Sequence, residues 1–439
     1  MPAAPRSAQP FLDSYARLAQ ESADPAWLAE MRAEAAARLT ATGLPRARDE
    51  AWIYSDVAPI ANGEFHRARS VGVPEAGTLA GAVLDAIPGA RLVFVNGHGK
   101  DSLSERLGLA DDVVLARIGA LRAEDPDRLR EAMKATPNAN GHAFYDLNTA
   151  LFEDGVVLDI PDGVEVTDPI QVHLIMRSWE DGIAEHPRLI VRLGKGAKAT
   201  LFERYHAQGP GARFTNAVTT IALDEGASLE HVRLQREGRG AHHTGLTLVR
   251  QAAKSTYCGV QVAAGAALCR QEVTADIDGA DAECTLNGLS VLGGDEHVDN
   301  HTTIRHNVAD GTSHELYKNI LGGHARGAFT GRIVVARDAQ RIDSNQQNHS
   351  LLLSTDAIAQ TRPQLEIYAD DVECAHGATI GQLDEDQAFY LRARGLTPLA
   401  ARNLLIHAFA REVLDGVQND AIRASLERVL ASRLNVDAT

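Results

Sequence analysis

The sequence predicts a mainly β protein, namely a parallel β-helix flanked by N-terminal and C-terminal α-helical regions. Between about residues 145 and 383 the chain has many short apolar stretches separated by turn residues, and helical periodicity is absent there. On either side of this part, apolar residues recur at the three- and four-residue spacing that is typical of helices. We therefore predict a largely helical N-terminal region (1–144), a β-helix core (145–383) and a C-terminal helical domain (384–439).

The turns of the core carry small dyads whose spacing is close to multiples of one 14-residue unit. In chain order the dyads are Gly196-Ala197, Gly226-Ala227, Gly265-Ala266, Gly279-Ala280, Gly311-Thr312, His324-Ala325, Asp338-Ala339 and Asp356-Ala357. A repeated strand and turn without intervening helices favours a solenoid in which each coil stacks on the last. A β-sandwich also has evenly spaced short strands, and it remains the competing prediction.

The first 45 residues are predicted to be helical. Two segments, 11–22 and 25–43, carry apolar residues at mixed three and four spacing, and the second has Pro25 near its start and Gly43 at its end. The pattern changes from about Asp85, because RLVFVNG (91–97) is a short apolar run closed by Asn96-Gly97. This run predicts a strand followed by a turn within the N-terminal region.

The C-terminal domain is predicted to contain a short helix over 384–395 and two longer ones. The first long helix has Thr397 as its N-cap and Pro398 in its first turn, and the second begins at Asn419. The helix after Thr397 has a wider apolar face than a lone solvent-facing helix needs, which indicates either packing on the solenoid or docking of a partner. We expect the helical segments at both termini to cover the open ends of the solenoid.

Composition excludes several classes of partner and compartment. Lys and Arg number 43 and Asp and Glu 59, a formal net charge of −16, so nucleic acid and anionic membranes would repel this surface. No long apolar run predicts a membrane span or an export signal, and we expect a cytoplasmic protein. Cys258, Cys269 and Cys284 fit neither a disulfide framework nor zinc-finger spacing, and we expect them in the core.

The segment that concentrates chemistry is ADDVECAHG (369–377). If it is a strand, Cys374 and His376 lie at positions i and i+2, so their side chains leave the same face. A thiolate beside an imidazole suits zinc, iron or iron-sulfur species, but a tetrahedral site needs further ligands from distant residues, another chain or a transient cargo. The alternative is that Cys374 fills the solenoid interior and His376 sits on a turn before Gly377.

Other donors and motifs add little to this pair. His297, His301, His306 and His314 repeat no strand or helix geometry, so most of them are expected to be surface or hydrogen-bonded core residues. A nucleophile–base role for Cys374 and His376 is the weaker interpretation, because thiol hydrolases place the histidine far away in sequence. The chain has no nucleotide-binding motif, so any ATP that drives its function would bind to another subunit.

Several long strings carry a family resemblance. They are ELYKNIL (315–321), RGAFTGRIVVARDAQRIDSNQQNHSLLLS (326–354), PQLEIYADDVECAHGATIGQLDE (363–385) and FYLRARGL (389–396), with weaker matches in EAWIYSDV (50–57) and RLVFVNG (91–97). Together they resemble the SufB/SufD family of iron-sulfur cluster assembly proteins. The form of residues 369–385 is similar to the SufD branch, and the chain lacks the extra N-terminal sequence and cysteines of SufB.

The resemblance implies a right-handed parallel β-helix in a non-catalytic scaffold subunit. It also implies pairing with SufB through the β-helix ends and binding of the ATPase SufC through the C-terminal helices, with two SufC subunits in the complex. In the family the histidine of the CxHGA segment faces SufB and is thought to combine with a SufB cysteine at the nascent cluster. That position is His376 here, and Cys374 is its neighbour on the same strand face.

The resemblance further implies that the chain holds no permanent cofactor. Iron or an iron-sulfur cluster would be transient in the complex, where a reduced flavin could also bind, and the isolated chain could form a homodimer. Two alternatives remain open at this point. One is a self-contained metal-binding β-helix protein that uses Cys374, His376 and some of the histidines from His297 to His314. The other is a carbohydrate-active β-helix enzyme, which the 5% aromatic content and three tryptophans disfavour.

Overall fold

The predicted mainly β fold is confirmed in the computed structural model, which describes residues 7–68, 70, 87–177 and 182–436. The chain forms a parallel β-solenoid of about seven turns with helices before and after it. The strands are β1 (His66–Arg67), β2 (Arg91–Val95), β3 (His98–Gly99), β4 (Val114–Arg117), β5 (Gly155–Ile160), β6 (Ile170–Arg177), β7 (Ile183–Glu185), β8 (Arg188–Leu193), β9 (Lys198–Gln208), β10 (Arg213–Leu223), β11 (Ser228–Arg236), β12 (Gly238–Gln251), β13 (Thr256–Ala263), β14 (Ala266–Ile277), β15 (Glu283–Leu292), β16 (His297–His306), β17 (Thr312–Leu321), β18 (Arg326–Val335), β19 (Ile342–Leu352), β20 (Ile358–Ile367) and β21 (Val372–Gln382).

Successive strands of the solenoid alternate between two sheets. Among the described residues, one sheet runs β20-β18-β16-β14-β12-β10-β8-β5-β4 and the other β21-β19-β17-β15-β13-β11-β9-β6-β2-β3. Neighbouring strands from β8 to β21 pair in parallel, and Thr256 lies beside Ser228 one coil earlier. The predicted 14-residue unit is therefore half of a coil. The parallel ladders contradict the β-sandwich alternative, whose sheets are antiparallel.

One corner of the solenoid is built by stacked residues with a left-handed backbone. Gly196 and Gly226 have φ values of 63° and 69°, and Lys254, Asp281, Asp310 and Arg341 continue the stack with φ between 56° and 64°. The backbone N–H of Gly226 donates to the carbonyl of Ala253 in the next coil, at 2.9 Å. A backbone N–H at one corner thus donates to a carbonyl at the corner of the next coil. These bonds satisfy N–H and C=O groups that an isolated turn would leave unpaired.

The N-terminal helices cover the outer face of the β8–β20 sheet. They are Gln9–Glu21, Ala26–Thr42, Ala58–Ala61, Ile118–Glu124, Pro126–Ala135 and Ala143–Leu151, joined by the 3-10 turns Glu50–Trp52 and Asp101–Leu103. Phe11 and Phe144 pack against Phe214 on this sheet. The predicted strand RLVFVNG is β2, which extends the other sheet and turns at Asn96 and Gly97, both with positive φ. Asp85, where the predicted change of pattern begins, lies outside the described residues, as do residues 1–6.

A buried charge network holds the segment around Trp52 and Ser55 against the outer face of the β8–β20 sheet. The Arg270 guanidinium donates to Glu272 at 2.8 Å and to Asp299 at 2.7 Å, and it stacks on the Trp52 ring at 3.8 Å from the centroid. The Ser55 hydroxyl donates to the same Asp299 carboxylate at 2.6 Å. Because Asp299 is fully buried, its charge depends on these partners.

The C-terminal helices are Glu385–Ala393, Pro398–Leu414 and Asp420–Val436. As predicted, Thr397 caps the second helix by accepting from the Ala400 N–H at 3.2 Å, and the Asn419 side chain accepts from the N–H groups at the start of the third. The apolar side chains Ile406, Val413 and Leu426 are buried against the outer face of the β9–β21 sheet. None of the helices in the described parts of the chain is long and apolar enough to cross a membrane.

The expectation that helices cover both open ends is wrong for the C-terminal end. The C-terminal helices lie on the flank of the sheet because its outward positions offer them apolar side chains such as Val232, Val260 and Ile320. The last coil, β20 and β21, is consequently open. It exposes the apolar side chains Ile358 (43%), Ile367 (37%), Tyr368 (61%) and Ile380 (48%).

Candidate metal centre at the open end of the solenoid

Cys374 and His376 both lie on β21, the last strand of its sheet. Ser344 and Gln346 of β19 are their direct partners in the ladder, and both partners are buried in the lumen of the solenoid. Because alternate residues of a strand share a face, Cys374 and His376 belong to the lumen side of β21. The two side chains therefore stand at the rim of the open end, above the last fully enclosed coil.

Cys374 is half-buried, and it packs at the edge of an apolar cluster that includes Ile333, Val335 and Ile342. Burial raises the pKa of its thiol, and the Asp343 carboxylate raises it further. The thiol form is thus favoured in the isolated chain, and binding of a metal ion would release its proton. The interior position predicted as the alternative is partly correct, since the thiol reaches both the lumen cluster and the rim.

A line of hydrogen bonds leads to the position below Cys374. The ring nitrogen Nε2 of His306 lies 2.9 Å from the Ser313 hydroxyl, which lies 2.7 Å from the hydroxyl of Ser344. Burial lowers the pKa of His306 to about 4, so its ring is neutral near pH 7. This line gives the lumen wall beneath the thiol a polar character.

His376 is exposed, and its side chain makes no hydrogen bond to any described residue. It lies on a strand within β21, whereas the alternative interpretation placed it on a turn before Gly377. Below it in the ladder come Gln346 and then Glu315, two buried side chains joined by a hydrogen bond from the Gln346 amide to the Glu315 carboxylate. Burial raises the pKa of Glu315 from an ordinary 4.5 to about 7.

The other predicted donors do not join this pair. His301 is on the outer face of the opposite sheet, where its Nε2 lies 3.0 Å from Asp299, and His306 faces the lumen. His314 is exposed on the outer side of β17, and His297 is at the start of β16. In the part of the chain that the structure describes, no three His, Cys, Asp or Glu side chains are placed to hold a metal ion. A self-contained metal site is therefore not assembled from these residues.

The remaining cysteines are core residues, as predicted. Cys258, Cys269 and Cys284 are free thiols and buried. Burial raises the pKa of Cys258 to about 11 and that of Cys269 to about 12, which leaves both protonated and unreactive at neutral pH.

The lumen partners Ser344, Gln346 and Glu315 were missed by sequence reasoning. The string DSNQQNHS (343–350) does contain a signal, since its inward positions alternate with outward ones and are all polar: Ser344, Gln346, Asn348 and Ser350. Polar residues at the inward positions of a buried strand indicate interior hydrogen bonding. Recognising what they face requires the register between coils, which the chain order does not provide.

Fold and site together define a class of protein: a β-solenoid that carries an incomplete thiol–imidazole pair at the rim of an open end. Two family matches make this specific. The SufBD core domain of the SUF system for iron-sulfur cluster assembly matches residues 175–409, and the SufBD protein N-terminal region matches residues 6–172. The chain therefore belongs to the SufBD family, which confirms the resemblance found in the sequence.

Individual relatives cover nearly the whole chain. An iron-sulfur cluster assembly SufBD family protein of Synechocystis sp. is 33% identical over 416 residues, which are 92% of this chain and 91% of the relative. The iron-sulfur cluster assembly protein SufD of Escherichia coli (strain K12) is 29% identical over 400 residues, or 90% of this chain and 91% of the relative. Both relatives are named for iron-sulfur cluster assembly, so the comparisons lend no support to the carbohydrate-active alternative.

Proposed function

We propose that the chain is a non-catalytic scaffold subunit of the cytoplasmic SUF system, in which it acts with SufB and the ATPase SufC in iron acquisition and de novo cluster formation. Its share of the chemistry is the pair His376 and Cys374, which would meet SufB residues at the nascent iron-sulfur cluster. Iron and the cluster are cargo here and not resident cofactors. The single observation that carries the proposal is the position of this pair at the rim of the uncovered last coil.

The open coil supports a β-helix partner. A last strand with no neighbour presents unpaired backbone N–H and C=O groups, and these are a template for pairing with another chain. The exposed Ile358, Tyr368 and Ile380 form the apolar contribution to such an interface. SufB, as a second member of the same family, would continue the two sheets across the junction and cover this surface.

The incomplete ligand set fits a cluster that is built and then handed on. Two soft donors from one chain leave coordination positions of an iron centre to a partner or to sulfide. Separation of the two subunits would then remove ligands from the cluster, and ATP-driven motion of SufC is the proposed cause of that separation.

The C-terminal hairpin supports docking of SufC. The helices Pro398–Leu414 and Asp420–Val436 bury one side against the solenoid, and their other side forms a groove of about 600 Å³. Leu404 lines this groove and is 49% exposed, and Leu399 nearby is 48% exposed. Exposed leucines beside a groove between two helices are the kind of surface that a protein partner covers.

The test of the cluster site is anaerobic cluster formation on the complex co-expressed with SufB and SufC, followed by visible absorbance. We expect His376→Ala to abolish cluster formation and Cys374→Ala to reduce it, with each complex intact on a sizing column. Glu373→Ala is the matched control, because Glu373 directly precedes Cys374 on β21 but lies on the opposite, outward face of the strand. Full cluster yield in both His376→Ala and Cys374→Ala would refute the proposed site.

The test of the SufC surface is co-elution of SufC with the chain. We expect Leu404→Asp to prevent co-elution without lowering the melting temperature, because the side chain is exposed. Leu107→Asp is the control, since Leu107 is 62% exposed in the N-terminal region, far along the chain from the hairpin. Equal SufC binding by wild type and Leu404→Asp would contradict this assignment. Binding of a reduced flavin to the complex and formation of a homodimer by the isolated chain remain predictions of the family resemblance.

A further inference from the structure

The residue directly beneath His376 in the lumen is Gln346. The two are partners in the ladder between β19 and β21, and parallel neighbours lie about 4.8 Å apart. Gln346 is completely buried, whereas His376 is exposed at the rim. The glutamine side chain is thus the first buried polar group that the imidazole meets inside the solenoid.

The orientation of the Gln346 amide is fixed from two sides. Its Nε2 donates to Oε2 of Glu315, which lies one coil further down the same ladder. Across the lumen, Gly331 leaves the space that this amide occupies, because a Cβ atom there would stand 2.2 Å from Nε2. With Nε2 bound to a carboxylate, the other amide atom, Oε1, is the acceptor.

That acceptor has no partner among the described residues. Gln346 Oε1 is buried and is not hydrogen-bonded to any described residue, and a buried oxygen in this state lacks a stabilising interaction that most such groups have. The neighbouring rim residue Cys374 stands over Ser344, whose hydroxyl is already bonded to Ser313. An unused acceptor therefore lies under the imidazole, while the hydroxyl under the thiol is engaged.

We propose that Gln346 is the positioning residue for His376: its Oε1 accepts the N–H of one ring nitrogen, and the other ring nitrogen is thereby directed to iron at the mouth of the solenoid. A histidine that binds a metal usually donates its second ring N–H to an acceptor, which fixes the tautomer and the direction of the ring. Glu315, through Gln346, holds the acceptor in place. This inference rests on the proposed role of His376 and adds the group that orients it.

The test measures binding of Fe(II) alone, without sulfide, to the complex with SufB and SufC by anaerobic equilibrium dialysis. We expect Gln346→Met to weaken Fe(II) binding by about 10- to 100-fold, the usual loss when the group that orients a metal-binding histidine is removed. Gln346→Glu keeps an acceptor oxygen, and its carboxyl group can share a proton with Glu315, so we expect it to restore binding.

Asn348→Leu is the matched control. Asn348 is the next lumen residue of β19 and also has an unpaired buried oxygen, but its ladder partner is Ala378, which has no ring to orient. We expect its complex to bind Fe(II) as wild type does. Melting temperatures and sizing columns establish that each variant is folded and assembled.

The outcomes separate this inference from the proposed function. If His376→Ala loses Fe(II) binding while Gln346→Met binds within about twofold of wild type, far less than the loss expected for a positioning group, Gln346 does not position the ring. Equal weakening by Gln346→Met and Asn348→Leu would assign the effect to lumen polarity in general and would also overturn the inference. If His376→Ala itself binds Fe(II) normally, the proposed role of His376 fails, and the inference fails with it.

Discussion

Replacing Glu315 by Gln should change how the stability of the protein depends on pH. Glu315 is buried in the lumen, and burial raises its pKa from 4.5 to about 7. Between these two values the folded chain holds a proton that the unfolded chain releases, so the free energy of unfolding falls as pH rises through this range. The glutamine variant has no proton to lose at this position and lacks that dependence.

The magnitude follows from the two pKa values. One pKa unit corresponds to about 1.4 kcal/mol, so the wild type should lose about 2–3 kcal/mol of stability relative to Glu315→Gln between pH 5 and pH 8. The free energy of unfolding of the variant should therefore increase relative to that of the wild type as the pH rises. The sign is that of a carboxyl group with a raised pKa: its contribution is full below pH 4.5 and is lost as the pH passes 7.

The assay is urea unfolding at pH 5, 6, 7 and 8, followed by circular dichroism and tryptophan fluorescence. Glu373→Gln is the control, because it removes the same charge from an exposed position of β21 and should follow the wild type. A constant stability difference between wild type and Glu315→Gln across this pH range would refute the assignment of a protonated Glu315 in the lumen.

Three further substitutions test how the solenoid is held together. Leu426→Ala should lower the free energy of unfolding by about 2–5 kcal/mol in urea, because Leu426 is 1% exposed between the C-terminal helices and the sheet; an unchanged midpoint would contradict that packing. Gly226→Ala should cost about 1–2 kcal/mol, measured the same way, because φ is 69° and an L-residue is disfavoured there; a variant as stable as wild type would argue against the left-handed corner. Arg270→Met should cost about 3–5 kcal/mol at pH 7, because Asp299 would keep a buried charge without its guanidinium partner. The last loss should shrink in acid, where Asp299 takes up a proton, and a pH-independent loss would show that the charge is not the cause.

Much of the fold could be predicted because turns and helix ends depend on residues that are close together in the sequence. The corners repeat at half-coil intervals, so glycines such as Gly196 and Gly226 mark them in the chain. The C-terminal helices begin where Thr397 and Asn419 supply caps, which is information held within a few residues. What the sequence could not show is the surface on which these helices pack. In β11 the outward positions Val232 and Leu234 are apolar, whereas the inward positions His231 and Arg233 are polar, so the usual pattern of apolar residues inside would assign the two faces of this strand the wrong way round.

The candidate site also contains residues that the sequence could identify and residues that only the structure reveals. Cys374 and His376 are two residues apart, and their residue types together with the family resemblance were enough to select them. Gln346 lies one coil before His376, and Glu315 lies two coils before it. Only the register of the ladder brings both residues under His376. No local pattern could therefore connect the imidazole to its neighbours in the lumen.

Because the corners of the solenoid are stacked turns, the number of residues in a coil can change without changing which side chains lie above one another in the lumen. Coils differ in length, since Thr256 pairs with Glu283 and Arg326 pairs with Ile358, yet both ladders keep a constant register because the turns absorb the difference. A short insertion at a corner such as 353–357 should therefore lengthen one loop and leave every cross-coil neighbour unchanged. An insertion of one residue within β19, before Gln346, would instead shift the pairing of the strand and turn Gln346 to the outside of the solenoid. Tags and spectroscopic probes can accordingly be placed at the corners of this protein without altering the lumen.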